Sequence, residues 1–208
     1  MSGQEEPSIL YGEEAANELA HDDAKITELL TAYQQTFVPE GGERLGKAVE
    51  WVRRHTLHVL NDVHQAAIAK VNDEVAAMAA WYRLGTWKDG RPVFELTHVV
   101  TLTSYRGNKL SSQLMERCMR EVLAKEPNAL FYIFTKTPEL KGKYDKLVQS
   151  GACENIGIEG MLAIEESNGS PPSDPEGVAT MKRNCSEFGV YLYDPKKERD
   201  ISGGADGT

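Results

Sequence analysis

Residues 97–117 read "THVVTLTSYRGNKLSSQLMER". The first third is rich in β-branched residues, as a strand prefers. From Leu110 the apolar residues Leu110, Leu114, Met115, Cys118 and Met119 recur at helical spacing. Arg106-Gly107-Asn108-Lys109 joins the two. A strand that enters a helix through such a turn leaves the first helical N–H groups without internal partners. Those amides and the helix dipole favour an anion, and a diphosphate is the natural guest. Two other phosphate signatures, GxxxxGK[ST] and GxGxxG, are absent from the chain, which weakens nucleotide hydrolysis and dinucleotide redox chemistry as functions.

On either side of this junction the periodicity predicts a mixed α/β (α+β) fold. Helices are expected over 23–37 and 43–58, the latter with Leu45, Val49, Val52 and Leu57 inward and Arg53 and Arg54 outward. Two alanine-rich strands follow, joined by a turn at Asn72-Asp73-Glu74, and Asp89-Gly90 marks a hairpin. In the return strand, alternation assigns Phe94, Leu96, His98, Val100 and Leu102 to one face. A helix over 108–125 leads to a doubly covered strand at 129–135. Thr137-Pro138 opens the next helix, which buries Leu140, Tyr144, Leu147 and Val148, and Gly151 closes it. Residues 152–166 read as strand, 167–177 as a flexible loop and 188–194 as a last strand. The expected sheet is mostly antiparallel, with one parallel pair between 93–102 and 129–135. The expected organisation is an N-terminal extension over 1–22, one domain over 23–194 and a disordered tail over 195–208.

The chain has 208 residues and a net charge of −9. That balance argues against general nucleic-acid or anionic-membrane partners. Residues 104–146 nevertheless carry +4, against −13 for the remainder. This is either a set of solvated helix faces or a local field for an anionic ligand. The N-terminus lacks the basic and apolar regions of a secretory signal, and no apolar run reaches membrane-spanning length, so a cytoplasmic location is expected. Cys118, Cys153 and Cys185 lack CxxC spacing and read as reduced thiols. His55 and His58 are one helical turn apart, but with His64 they lack the spacing of a third ligand, and no metal is expected.

The stretch "VVTLTSYRGNKLSSQLM" resembles the acetyl-CoA motif of the GNAT superfamily of N-acetyltransferases, roughly V-x-P-x-Y-R-G-x-G-I-G with a core of [RQ]-x-x-G-x-[GA]. Tyr105, Arg106, Gly107 and Leu110 match it; Lys109 replaces the usual central Gly, and Ser111 a Gly or Ala. The element order over about 23–193 is similar to the family's, and "YDKLVQSGA" at 144–152 resembles its later helix-to-strand motif. The resemblance implies a GNAT-like sheet flanked by helices, whose parallel pair splays apart. It implies that acetyl-CoA, as co-substrate, lays its pantetheine arm along the backbone of Val99, Val100 and Thr101. The diphosphate would bind the N–H groups of Arg106, Gly107, Asn108, Lys109, Leu110 and Ser111. The implied reaction is direct acyl transfer to a primary amine of a small molecule or peptide. The departures at Lys109, Ser111 and Leu147 keep a second reading open, a non-catalytic CoA-binding or regulatory module.

Amide formation needs a base for the amine and an acid for the departing thiolate. Glu95 is a base candidate or a solvated strand carboxylate. His98 has a suitable ordinary pKa but shares a predicted core face. Tyr144 is an acid candidate or a core residue; where family members often carry Tyr four residues before the glycine, this chain has Leu147. Trp81, Tyr82, Trp87, Tyr191 and Tyr193 read either as core or as the lining of an acceptor pocket.

Overall fold

The computed structural model describes residues 7–35, 41–58, 65–135, 137–169, 174–184 and 187–203. The strands follow the hydrogen-bonded order β1-β2-β3-β4-β5-β7-β6, mostly antiparallel, with β4 and β5 parallel. By contact pattern the chain forms two units, residues 1–82 with 96–121, and residues 83–95 with 122–208.

The first unit begins with β1 (Ser8–Tyr11), α1 (Glu13–Ala20), α2 (Asp23–Gln34) and α3 (Gly42–His58). β2 (Ala66–Val71) pairs antiparallel with β1 and with β3 (Glu74–Thr86). Asn72 and Asp73 both have positive φ, 53° and 63°. That is the two-residue turn whose twist suits a hairpin. The alanines of β2 and β3 are fully buried, so the helices bring the larger residues to this core. Leu19, Ile26, Leu29, Leu30, Val49 and Val52 pack with Ile68, Met78, Val100 and Leu102. Each fully buried Leu or Ile contributes roughly 1.5–3 kcal/mol. The Asp22 side chain caps α2 by accepting from the Lys25 N–H at 2.9 Å. Residues 8–20 are therefore not a mere polar extension: α1 buries Ala15, Ala16 and Leu19 in this core.

β4 (Pro92–Thr101) departs from strict alternation. Of the face predicted from 94 to 102, Phe94, His98, Val100 and Leu102 are buried, and Val93 and Thr97 on the other face are buried as well, so the strand is covered on both sides there. His98 has φ 51°, a left-handed kink within the strand. α4 (Leu110–Lys125) carries the expected stripe; Leu110, Leu114, Cys118 and Val122 are buried.

In the second unit the hairpin after Thr86 closes with Trp87 N–H donating to the Arg91 carbonyl at 2.9 Å. β4 pairs in parallel with β5 (Leu130–Thr135) at Val93–Leu130, Phe94–Phe131 and Glu95–Tyr132, where the ladder ends. β7 (Gly189–Tyr193) is antiparallel to both β5 and β6 (Cys153–Asn155). α5 (Pro138–Ser150) ends at Gly151 with φ 84°, the left-handed cap predicted for it. Of its four predicted inward residues only Tyr144 is fully buried, and Leu140 is 36% exposed.

Three segments correct the sequence reading. Only Cys153–Asn155 of the predicted strand over 152–166 is extended; Gly157–Ser167 forms helix α6. Ile158 and Leu162 on one side, and Gly160 and Ile164 on the other, bury α6 at i, i+4 spacing, a pattern that also fits alternation over a short window. At Gly160 a Cβ would meet Ile156, and at Gly85 of β3 a Cβ would lie 2.1 Å from the Ile164 carbonyl oxygen. Thr86 N–H donates to Ser167 Oγ at 2.7 Å, fastening the end of α6. α7 (Pro175–Asn184) follows where a loop was expected at its start; Asp174 accepts from Gly177 N–H at 2.9 Å, and residues 170–173 lie outside the described set. α8 (Pro195–Gly203) occupies most of the expected tail. Asp194 caps it through the Lys196 N–H at 3.0 Å and pairs with Arg91 at 2.5 Å.

Candidate functional site

After Thr101 the chain makes a short 3-10 turn over Thr103–Tyr105, and Arg106 returns to extended backbone. Gly107 and Lys109 then take positive φ, 91° and 57°. α4 begins at Leu110, and its first closing bond runs from Gln113 N–H to the Lys109 carbonyl at 3.1 Å. Arg106 and Gly107 form the centre of a type II turn that ends at Asn108, and among the described residues the N–H groups of Gly107 and of Lys109 to Ser112 have no backbone acceptor. Arg106, Asn108 and Lys109 are exposed around them, and neither basic side chain has an ion-pair partner among the described residues. The turn is tied at both ends. Thr101 Oγ1 and Ser111 Oγ share a hydrogen bond of 2.6 Å, and Tyr105 OH donates to Glu74 Oε2 at 3.0 Å. The bond to Glu74 pushes the Tyr105 phenol up from its ordinary value.

Lys109 adopts the left-handed geometry that glycine takes readily at the end of such a turn. A side chain there costs about 1–2 kcal/mol. The lysine substitution therefore leaves the backbone path of the amide cradle intact and adds a cation beside it.

Val99, Val100 and Thr101 follow directly on the kink at His98, in the same unit as the turn. The His98 ring is buried and meets Tyr33 of α2 edge-on, with centroids 5.6 Å apart. Tyr33 itself packs against the core cluster.

In the second unit Glu95 is half-buried on the last parallel rung, beside Tyr132. Phe94 and Phe131 point to the opposite face. Phe131 is opposite Tyr193 in β7 and Ile133 is opposite Tyr191. Tyr144 of α5 stacks on Tyr191 at 5.5 Å and meets Tyr193 edge-on at 6.3 Å. Glu95 and Tyr144 are therefore on opposite faces of the strands. Burial drives the Tyr144 phenol well above its ordinary value, so it remains a neutral proton carrier.

The other aromatic candidates are less available. Tyr191 and Tyr193 are buried, with hydroxyls donating to Asp145 at 2.7 Å and to Glu198. Trp81 is buried, whereas Trp87 is half-buried beneath the Lys88 ammonium. Cys118 and Cys153 are buried free thiols pushed up to about 12 by burial, while Cys185 lies outside the described residues. Among the described residues no cluster of His, Cys, Asp or Glu could hold a metal ion, and no helix is long and apolar enough to cross a membrane. His64 lies outside that set, as do the side chains of His55 and His58.

Two further residues escaped the sequence reading. Tyr33 lies on the apolar stripe of α2 and read as core. Glu165 was assigned to a strand; on α6 its carboxylate is half-buried without a partner among the described residues, and burial raises it above its ordinary value.

No curated protein matches the chain by sequence. Among solved structures, a protein from Pyrococcus horikoshii OT3 is 14% identical, over 83% of this chain and 92% of that one, with a TM-score of 0.50. A GCN5-related N-acetyltransferase from Kribbella flavida is 18% identical over 71% of this chain, with a TM-score of 0.48; this chain spans only 33% of it. A ribosomal-protein-alanine N-acetyltransferase from Brucella melitensis biovar Abortus 2308 is 15% identical, over 68% and 89% of the two chains, with a TM-score of 0.44. The profile of the Acetyltransferase (GNAT) family matches residues 25–140, more than half of the chain. With that match, the seven-strand order and the parallel β4–β5 pair, the chain belongs to the Acetyltransferase (GNAT) family.

Proposed function

We propose that the protein is an acyl-CoA-dependent N-acyltransferase that moves acetyl from acetyl-CoA to a primary amine by direct attack. The observation that carries this reading is the set of undonated amides at Gly107 and Lys109 to Ser112, with left-handed Lys109 at the mouth of α4. Family membership supports the donor class. The preserved turn geometry favours a working donor site over a decayed module.

In this reading the diphosphate lies on the N–H groups of Gly107, Lys109, Leu110 and Ser111; the Arg106 N–H is taken by the Thr103 carbonyl at 3.3 Å, so Arg106 and Asn108 contribute side chains. The ammonium of Lys109 and the guanidinium of Arg106 neutralise its charge. The backbone of Val99, Val100 and Thr101 bonds the pantetheine arm. The acceptor arrives largely as ammonium and must lose a proton before its nitrogen can attack the thioester carbon. Glu95 takes that proton, and His98 is the second candidate for the role. A tetrahedral oxyanion forms; as it collapses the C–S bond breaks, the thiolate leaves, and the nitrogen sheds its second proton to water. Tyr144, the acid candidate, lies across the strands from Glu95, so with Glu95 as the base the thiolate takes its proton from water. The products are an amide and CoA thiol, with no covalent enzyme intermediate. The acceptor is a small-molecule or peptide amine, and the domain that does this work spans about 23–194.

The test is a pair of measurements on the full chain. Acetyl-CoA at one hundred times its Kd adds about 2.7 kcal/mol of stability and raises the melting temperature by several degrees. A panel of primary amines then releases CoA thiol in proportion to enzyme. A melting temperature indifferent to millimolar acetyl-CoA overturns the reading. Binding without thiol release from any amine leaves the regulatory module in its place.

A further inference from the structure

His98 is the one non-glycine residue with left-handed backbone inside a described strand. Such a conformation persists only when its surroundings over-determine it, and residues of this kind concentrate where backbone must be presented to a ligand. Here the surroundings are specific. The imidazole is 4% exposed, and the Tyr33 ring meets it edge-on at an interplanar angle of 80°. Tyr33 is anchored in turn, because its helix buries Ile26, Leu29 and Leu30 in the core cluster against which Tyr33 itself packs. The kink reorients the peptide groups that follow, which are those of Val99 to Thr101. Thr101 is then fixed by the Ser111 hydroxyl at the mouth of α4.

We propose that Tyr33 is a positioning residue for the thioester carrier. Its ring holds the His98 imidazole, and through it the kink in β4, so that the Val99–Thr101 backbone faces the carrier's arm. The proposal rests on the acyl-CoA reading and adds to it a residue on a different helix that touches neither carrier nor acceptor. An extended His98 would turn the Val99–Thr101 peptide groups away.

The test is a cycle of variants titrated with acetyl-CoA by calorimetry, each checked for cooperative melting. Tyr33→Ala weakens binding about tenfold. Tyr33→Phe, which keeps the ring edge, stays within about twofold. In a His98→Gly background, where positive φ needs no ring to hold it, Tyr33→Ala changes affinity by less than about twofold. A role confined to packing predicts the same loss in both backgrounds, and that result overturns the proposal. So does a folded Tyr33→Ala protein that binds as tightly as wild type. If Tyr33→Ala fails to fold, Tyr33→Leu takes its place against Tyr33→Phe, with the loss expected for leucine alone. Wild-type protein that binds no acetyl-CoA overturns the donor reading and this proposal together, an outcome distinct from the others.

Discussion

The hydroxyls of Thr101 and Ser111 share a hydrogen bond of 2.6 Å, which joins the last residue of β4 to the second residue of α4. Nine residues, 102 to 110, close on that bond, and most of the amide cradle lies within the loop. Ser111→Ala installs a residue the family commonly uses and removes the tie. The expected loss is about 0.5–1.5 kcal/mol of stability, with a weaker grip on acetyl-CoA. Thr101→Val produces the same loss, and the double variant loses little more, because one bond cannot be removed twice. Chemical denaturation of the four proteins checks the cycle.

Lys109→Gly separates backbone from charge. Relief of the left-handed side chain is worth about 1–2 kcal/mol, and the added freedom of the unfolded chain takes back about 0.4–1 kcal/mol. A net stabilisation of about 0.5–1 kcal/mol follows. Acetyl-CoA affinity should meanwhile become less sensitive to salt, since one cation beside the diphosphate is gone. Melting curves read the first effect, and titrations at two ionic strengths read the second.

Glu95→Gln keeps the shape of the last parallel rung and removes the base. The expected result is a kcat lower by about 10²–10⁴, with acetyl-CoA affinity little changed. Tyr144→Phe keeps the ring against Tyr191 and Tyr193 and removes only the hydroxyl; with Glu95 as base on the other face, kcat should change by less than about twofold, and a fall of about tenfold or more would instead put the reaction on the Tyr144 face. Steady-state kinetics with the best amine from the panel decides both.

Burial alone would raise the Asp194 carboxyl, but the bond from Arg91 and the N–H groups of Lys196 and Lys197 outweigh it and hold the group below its ordinary 3.8. A depressed carboxylate stabilises the fold above its unfolded pKa and ceases to do so as pH falls through the folded value. The contribution is therefore complete at neutral pH and disappears below about pH 4. Asp194→Ala removes the α8 cap and the Arg91 pair together and should cost about 2 kcal/mol at pH 7. At pH 3 the gap to wild type should narrow.

Glu165 has the opposite sign. Its raised pKa means that folding favours the protonated form, so its burial destabilises the native state progressively as pH rises past the ordinary carboxylate range. Glu165→Gln should raise the melting temperature at pH 7 and change it little at pH 4. Parallel thermal scans at the two pH values measure this.

Much of this architecture was legible because its signals are local. The stripe of α4 needs only Leu110, Leu114, Cys118 and Val122 at helical spacing. Asn72-Asp73 and Gly151 declare a turn and a cap through backbone preference alone. The parallel β4–β5 pair followed from a helix connecting two apolar strands. What escaped depends on tertiary contact. Residues 157–167 alternate as well as they repeat every fourth residue, and only the close approach of Ile164 to Gly85 favours helix. The kink at His98 has no sequence signature, since the strand around it is uninterrupted and the ring that meets the imidazole, Tyr33, is sixty-five residues earlier. The amide cradle was visible in Arg106-Gly107-Asn108-Lys109, although the motif offered lysine where glycine is customary; φ 57° resolves that mismatch.

Gly85 has only a hydrogen to turn toward α6, because a methyl group would fall 2.1 Å from the Ile164 carbonyl oxygen. That oxygen belongs to helical backbone, which cannot swing aside as a side chain would. Codon 85 should therefore tolerate no missense change: a saturation library screened for cooperatively melting protein would return glycine alone, while libraries at exposed Arg83 and Lys88 return a broad alphabet.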